Sequence, residues 1–162
     1  MDDVRWLTAD EQRAWRAYRR MRVLLDLELA RDLAANSGLS DPDYDVLSTL
    51  TEVDDHRWRI TELAVHLRWS TSRLSHHIGR MEHRGLVRRE STEADGRVAI
   101  VALTDEGWRA IQGAAPEHVA SVRRHFIDLL SPHEVATLEE IARKVVDHLT
   151  TDHGDRPTTG RT

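Results

Sequence analysis

The stretch ITELAVHLRWSTSRLSHHIGRMEHRGLVRRESTEADGRVAIVALTDEG, residues 60–107, decides the fold. Thr61 stands where a hydroxyl caps a helix start, and Leu63, Ala64 and Leu67 follow as an apolar stripe. Arg68-Trp69 is a short link to Ser70, a second capping residue. A second helix is predicted from Thr71 to about Arg84, because Leu74, Ile78 and Met81 step by four and three and so share one face. Ser72, Arg73, His76, His77, Arg80 and Arg84 occupy the rest of its surface. Gly85 closes it, since glycine takes the left-handed conformation most cheaply. Residues 87–91 and 97–103 read as paired strands, with Val87, Val98, Ile100 and Ala102 as the alternating apolar positions. The turn Thr92-Glu93-Ala94-Asp95-Gly96 carries the Asp-Gly pair that favours positive φ.

Helix, turn, helix and hairpin in this order make a winged helix-turn-helix. The second helix of such a unit fits a DNA major groove, with polar side chains near its N-terminal end meeting base edges. Ser70, Ser72, Arg73, His76, His77 and Arg80 are the candidates, because arginine forks to guanine and a serine hydroxyl meets bases or phosphates. The plainer reading is a solvated face on which Ser70 only caps. RLSHHIGRMEHRGLVRRE followed by DGRVAIVALTDEG closely resembles the MarR family of bacterial transcriptional regulators. That family's wing signature is an Asp, any residue, an Arg, a strand ending in Leu-Thr, and a Gly three residues beyond the Thr. Asp95, Arg97, Leu103, Thr104 and Gly107 match it. The resemblance covers roughly residues 10 to 150 and is specific within 63–107.

The resemblance implies a sequence-specific, ligand-responsive repressor that binds a pseudo-palindromic operator as a homodimer. It implies that Arg97 enters the minor groove or binds its phosphates, with Asp95 orienting the guanidinium through a charge-assisted bond. Arg88 joins the expected DNA contacts. It also implies a small, often anionic aromatic effector held between the dimerisation helices and the DNA-binding unit. Trp15, Tyr18, Arg19 and Tyr44 are the expected lining, against the alternative that these aromatics are plain core.

Composition narrows the classes. A chain of 162 residues suits one domain or one subunit of an oligomer. No apolar run approaches 18 residues, and MDDVRWLTADEQ is too acidic and polar for a signal peptide, so a cytoplasmic protein without membrane contact is expected. The absence of cysteine removes disulfides, thiolate nucleophiles and thiol redox sensing. The net charge of −5 argues mildly against a nucleic-acid partner, yet its distribution argues for one. Residues 66–100 hold seven arginines against four acids, a net of +3, and the remainder carries −8. Positive charge is therefore concentrated where the fold would touch phosphates. No HExxH, GxSxG, P-loop or GxGxxG pattern is present, so an enzyme is not expected and no cofactor is implied. His76-His77 suggests a metal, but neighbours on a helix diverge by about 100° and no two histidines stand four apart. No metal site is expected. The remaining alternative is a winged-helix module that binds protein and not DNA.

The flanks read as dimerisation helices, giving a mainly α chain with a small β wing. Thr8-Ala-Asp-Glu11 is a capping box that opens a helix over about 9–36, with the stripe Trp15, Tyr18, Met21, Leu25, Leu29 and Leu33. Ser40-Asp41-Pro42 starts the next helix, with Tyr44, Val46, Leu47 and Leu50 inward. Arg57 to Ile60 reads as a short strand joining the wing sheet. Thr104 caps a further helix whose seam runs Trp108, Ile111, Ala115, Val119, Val122, Phe126 and Leu129, with Pro116 expected to kink it or break it near Ala115. Ser131-Pro132 restarts a helix striped by Val135, Leu138, Ile141, Val145 and Leu149. The expected organisation is an N-terminal dimerisation helix at 1–39, the DNA-binding domain at 40–107, C-terminal dimerisation helices at 108–151 and a disordered tail at 152–162.

Overall fold

The computed structural model describes residues 4–92 and 95–151, with backbone only at 91, 92 and 95–98. The expected disordered tail, and the side chains of Asp95 and Arg97, lie outside the described residues. The chain divides into two compact units after Ser121. The elements in order are α1 (Ala9–Ser37), α2 (Asp41–Thr51), β1 (Arg57–Arg59), α3 (Ile60–His66), α4 (Thr71–His83), β2 (Val87–Thr92), β3 (Asp95–Leu103), α5 (Asp105–His125) and α6 (Pro132–Thr151). A three-residue 3-10 turn, Ile127–Leu129, precedes α6.

The first unit is built on local signals that agree with one another. The capping box at Thr8 forms: the hydroxyl accepts from the Glu11 N–H and the Glu11 carboxylate accepts from the Thr8 N–H. Gly38 ends α1 at φ 68°, and Ser40 opens α2 with a second reciprocal box to Asp43. α3 starts one residue earlier than Thr61 would place it. Arg59 is its N-cap and makes no side-chain bond, so the helix start is fixed by β1 and the packing of Ile60 instead of by a capping hydroxyl. Ser70 does cap α4, accepting from the Arg73 N–H at 3.2 Å. Gly85, at φ 73°, follows the α4 end.

The sheet is antiparallel in the order β1-β3-β2. Trp58 pairs with Val101 and Arg89 with Val101 on opposite edges of β3. One core joins all these elements. Val46, Leu47 and Leu50 of α2, Leu63 of α3, Leu74, Ile78 and Met81 of α4, and Val101 of β3 are fully buried. Burying one such side chain contributes about 1.5–3 kcal/mol. α1 enters this core only through its C-terminal end, at Leu33. Ser121 Oγ donates to Asp32 Oδ2 at 2.6 Å and fastens α5 to α1.

α5 runs unbroken through Pro116, so of the kink or break expected near Ala115 the break does not occur. A proline removes one backbone donor, and the surrounding turns retain theirs. The predicted seam is instead interrupted at Phe126, whose φ −141° and ψ −67° leave the helical region. In the second unit Ser131 caps α6 through its hydroxyl and Glu134 returns the bond. Ile141, Val145, Val146 and Leu149 are each at least half exposed on α6.

Gly107 shows the tightest packing. A Cβ there would lie 2.0 Å from the Leu86 carbonyl oxygen and 2.8 Å from Leu103 Cδ1. The Thr104 hydroxyl, which accepts from the Gly107 N–H at 3.0 Å, also donates to the Gly85 carbonyl at 2.6 Å. The start of α5 is thus pinned on the end of α4. Gly107→Ala is expected to destabilise the first unit by about 3 kcal/mol, the upper end for overpacking, because the obstacle is backbone. Chemical denaturation of the variant against the parent measures it, and a change within experimental error would contradict the contact.

Candidate nucleic-acid interface

α4 presents two faces of opposite character. Leu74, Ile78 and Met81 fill the core, and Ser72, Arg73, His76 and Arg80 are exposed on the other side, with Ser70 exposed at the cap. A serine N-cap leaves the N-terminal end of α4 short and polar, which suits close approach to another surface. The Arg73 guanidinium lies over the Trp69 ring at 4.3 Å, a cation–π contact that holds it against the helix start. Arg80 reaches back to two imidazoles, donating to His76 Nδ1 at 2.5 Å and to His77 Nδ1 at 2.7 Å.

Beside this face lies a shallow cleft of about 880 Å3, lined by Ser72, Ser75, His76, Gly79, Arg80, His83, Arg84 and Arg89. Arg89 crosses from β2 and donates to the Ser75 carbonyl at 2.5 Å, passing over Gly79, where a Cβ would stand 3.6 Å from its Nη2. Arg89 was not among the expected contacts. The signal was present in the strand alternation: Arg89 shares a face with the buried Val87, the side turned to α4. Arg88 therefore points to the other face. There it pairs with Glu90 at 2.8 Å and donates to the Leu103 carbonyl at 3.2 Å, so it is not brought into the cleft.

His77 departs from expectation. Its side chain is only 7% exposed, and Nε2 stands 3.1 Å from Asp43 Oδ1 without the alignment of a linear hydrogen bond. A buried imidazole behind the helix face does not reach a base edge, so His77 is removed from the direct contacts. Asp43 is itself buried. Its Oδ2 accepts from the Ser40 N–H at 3.0 Å, the Ser40 hydroxyl at 2.8 Å and Arg84 at 2.7 Å. Burial alone would raise this carboxyl, but those donors outweigh it and hold it below the usual carboxylate range. Arg84 also donates to the Gly38 carbonyl at 3.0 Å, tying the end of α4 to the α1–α2 corner.

The four residues expected to line an effector pocket are not brought together. Trp15 and Tyr18 stack on each other with centroids 5.8 Å apart on an exposed part of α1, and Arg19 lies with Arg16, Arg20 and Arg22. Tyr44 instead faces His118 of α5 at 4.3 Å, in a cleft of about 320 Å3 that also holds Asp26, Leu29, Asp41, Asp45 and Ser48. Burial raises the carboxyls of Asp41 and Asp45, with each further raised by a neighbouring aspartate and lowered by His118. An anion entering there would meet three carboxylates, so the cleft suits a neutral or cationic compound. Among the described residues no group of three or more His, Cys, Asp or Glu is placed to hold a metal ion. No helix among the described residues is long and apolar enough to cross a membrane.

Comparison with known proteins agrees with this architecture. The model of the MarR family matches residues 37–98. The chain is 31% identical to the transcriptional regulator HosA of Escherichia coli over 133 residues, 82% of this chain and 96% of HosA. It is 43% identical to the crystal structure of AbsC, a MarR family transcriptional regulator from Streptomyces coelicolor, at a TM-score of 0.85, covering 91% of this chain and 99% of AbsC. It is 39% identical to Sco3205, a MarR family transcriptional regulator of the same organism solved in complex with DNA, again at 0.85, covering 98% and 95%.

Burial holds the His77 imidazole below its ordinary value; Asp43 opposes this, and Arg80 and Arg73 add to it. The folded chain then binds fewer protons at this site than the unfolded one. The stability this confers is present above the unfolded value, near 6.5, and is lost as pH falls through the folded value. Thermal melts between pH 7.5 and 5.5 are expected to show a steeper loss in the parent than in His77→Gln; equal slopes would contradict the burial.

Proposed function

The chain belongs to the MarR family of transcriptional regulators, and on that premise we propose that it binds double-stranded DNA as a homodimer and represses transcription by occupying its operator. The observation that carries this reading is the exposed face of α4: Ser72, Arg73, His76 and Arg80 stand outward on a helix whose other side is locked in the core. Arg89 extends that positive surface onto β2. Phosphate contacts from these arginines would supply much of the affinity, and base contacts from the N-terminal half of α4 the discrimination. At the wing, Arg97 is proposed to bind the minor groove or its phosphates, with Asp95 orienting it. The DNA complex of Sco3205, at 39% identity, supports the same use of this chain.

Two further features support a two-fold assembly. Trp15, Tyr18, Met21, Val23, Leu24 and Leu27 of α1 are 40–56% exposed, and α6 carries its own exposed apolar stripe. A second copy would cover such faces, since surface of this kind is expensive to leave in water. Two copies of α4 related by a two-fold axis would enter successive major grooves, on the order of 34 Å apart. Regulation by a small molecule would act by favouring another spacing of the two reading heads. The cleft at Tyr44 would admit such a compound if it carries no negative charge.

The test is a titration against DNA immediately upstream of the chain's own gene. Binding is expected to weaken steeply with salt, and Arg80→Ala and Arg97→Ala each to weaken it, with Arg97→Ala flattening the salt dependence by about one phosphate contact. Affinity that ignores both substitutions would contradict the reading. Sedimentation at micromolar concentration is expected to give twice the 18.6 kDa chain mass; a monomer would remove the two-fold mechanism.

A further inference from the structure

The paired histidines of α4 have a use that metal binding does not explain. Adjacent residues on a helix point apart, but residues three and four positions away from a third residue both neighbour it. His76 and His77 stand four and three residues before Arg80, and both Nδ1 atoms accept from its guanidinium, one at each terminal nitrogen. With Nδ1 accepting, a neutral His77 carries its proton on Nε2, which faces the buried Asp43 carboxylate at 3.1 Å as an electrostatic contact and not a linear hydrogen bond. Asp43 in turn is fixed by Ser40 and Arg84. Behind the ring, Trp69 packs edge-on at 5.6 Å and limits its rotation.

We propose that Asp43 and His77 are positioning residues for Arg80: a buried carboxylate orients a buried imidazole, whose Nδ1 lone pair holds the guanidinium in the attitude that meets DNA. The inference rests on the DNA-binding reading above. Two of the five guanidinium N–H groups are engaged by the imidazoles, leaving the others for a base edge or phosphate. A long flexible side chain held before contact loses less freedom on binding, and its fork is presented in one orientation. Asp43 and His77 would thus set how strictly Arg80 discriminates without touching DNA. Protonation of His77 at Nδ1 would remove the acceptor and place a cation against Arg80, with Arg73 on the same helix and Asp43 on α2 as the other charged neighbours.

The experiment begins with duplexes selected by the full-length chain from a random-sequence pool. Arg80→Ala identifies the base pair at which discrimination depends on Arg80. His77→Phe, which removes the acceptor, is expected to lower discrimination at that same pair by about tenfold, within the range for one bidentate contact. His77→Asn, which restores an acceptor near the Nδ1 position, is expected to recover most of it. Wild-type discrimination in His77→Phe, or an equal loss at every base pair, would overturn the proposal, the latter pointing to a structural role. A wild-type chain that selects no sequence would sink the DNA-binding reading instead. NMR titration of His77 in the free protein decides the relay in that case, and also if His77→Phe fails to fold. Arg80→Ala should raise the His77 midpoint by removing a cation from Nδ1, and an unmoved midpoint would overturn the relay.

Discussion

The structure depends on the complete burial of one side of α4. Leu74, Ile78 and Met81 are fully buried and belong to one core cluster with fully buried residues of α2, α3 and β3. Three such side chains contribute about 5–9 kcal/mol between them by area, comparable to the stability of a whole domain. A rotation of α4 about its axis would expose them, so the helix has one setting. That setting points Arg73, His76 and Arg80 outward. The charged face is therefore a consequence of the hydrophobic one.

Two polar anchors complete the placement. Arg84 joins Asp43 and the Gly38 carbonyl, which fixes the C-terminal end of α4 against the α1–α2 corner. Thr104 and Gly107 fix the start of α5 against Gly85 and Leu86. Removing one partner of a buried charged set costs more than the bond itself, because the other partner stays desolvated. The two anchors lie at the same end of α4, beside the turn into β2.

Much of this architecture was legible in the sequence because local signals and periodicity agreed. The box at Thr8, the helix start at Ser40-Asp41-Pro42, the Ser70 cap and the glycines after α1 and α4 all act within a few residues, and each formed. What escaped was non-local. His77 reads as one more polar residue on α4, and only the fold brings Asp43, 34 positions earlier, to within 3.1 Å of it. Arg88 and Arg89 are placed on opposite faces by strand alternation, but only the packing of β2 beside α4 shows which face borders the cleft. Thr61 looked like a cap, but tertiary packing started α3 at Ile60. The aromatics Trp15, Tyr18 and Tyr44 share a residue class and not a place.

Charge completes the account. A chain with a net charge of −5 can present a positive surface because most of its acids lie outside α4 and β2. Within that surface Glu82 partly neutralises Arg89, and among the described residues no ion pair joins Arg73 or Arg80 to a carboxylate. Hydroxyl-radical footprinting of the chain on its own promoter DNA tests the central claim most directly. Two protected patches on one side of the duplex, one helical turn apart, are the predicted result; a single patch, or continuous protection without that period, would contradict it.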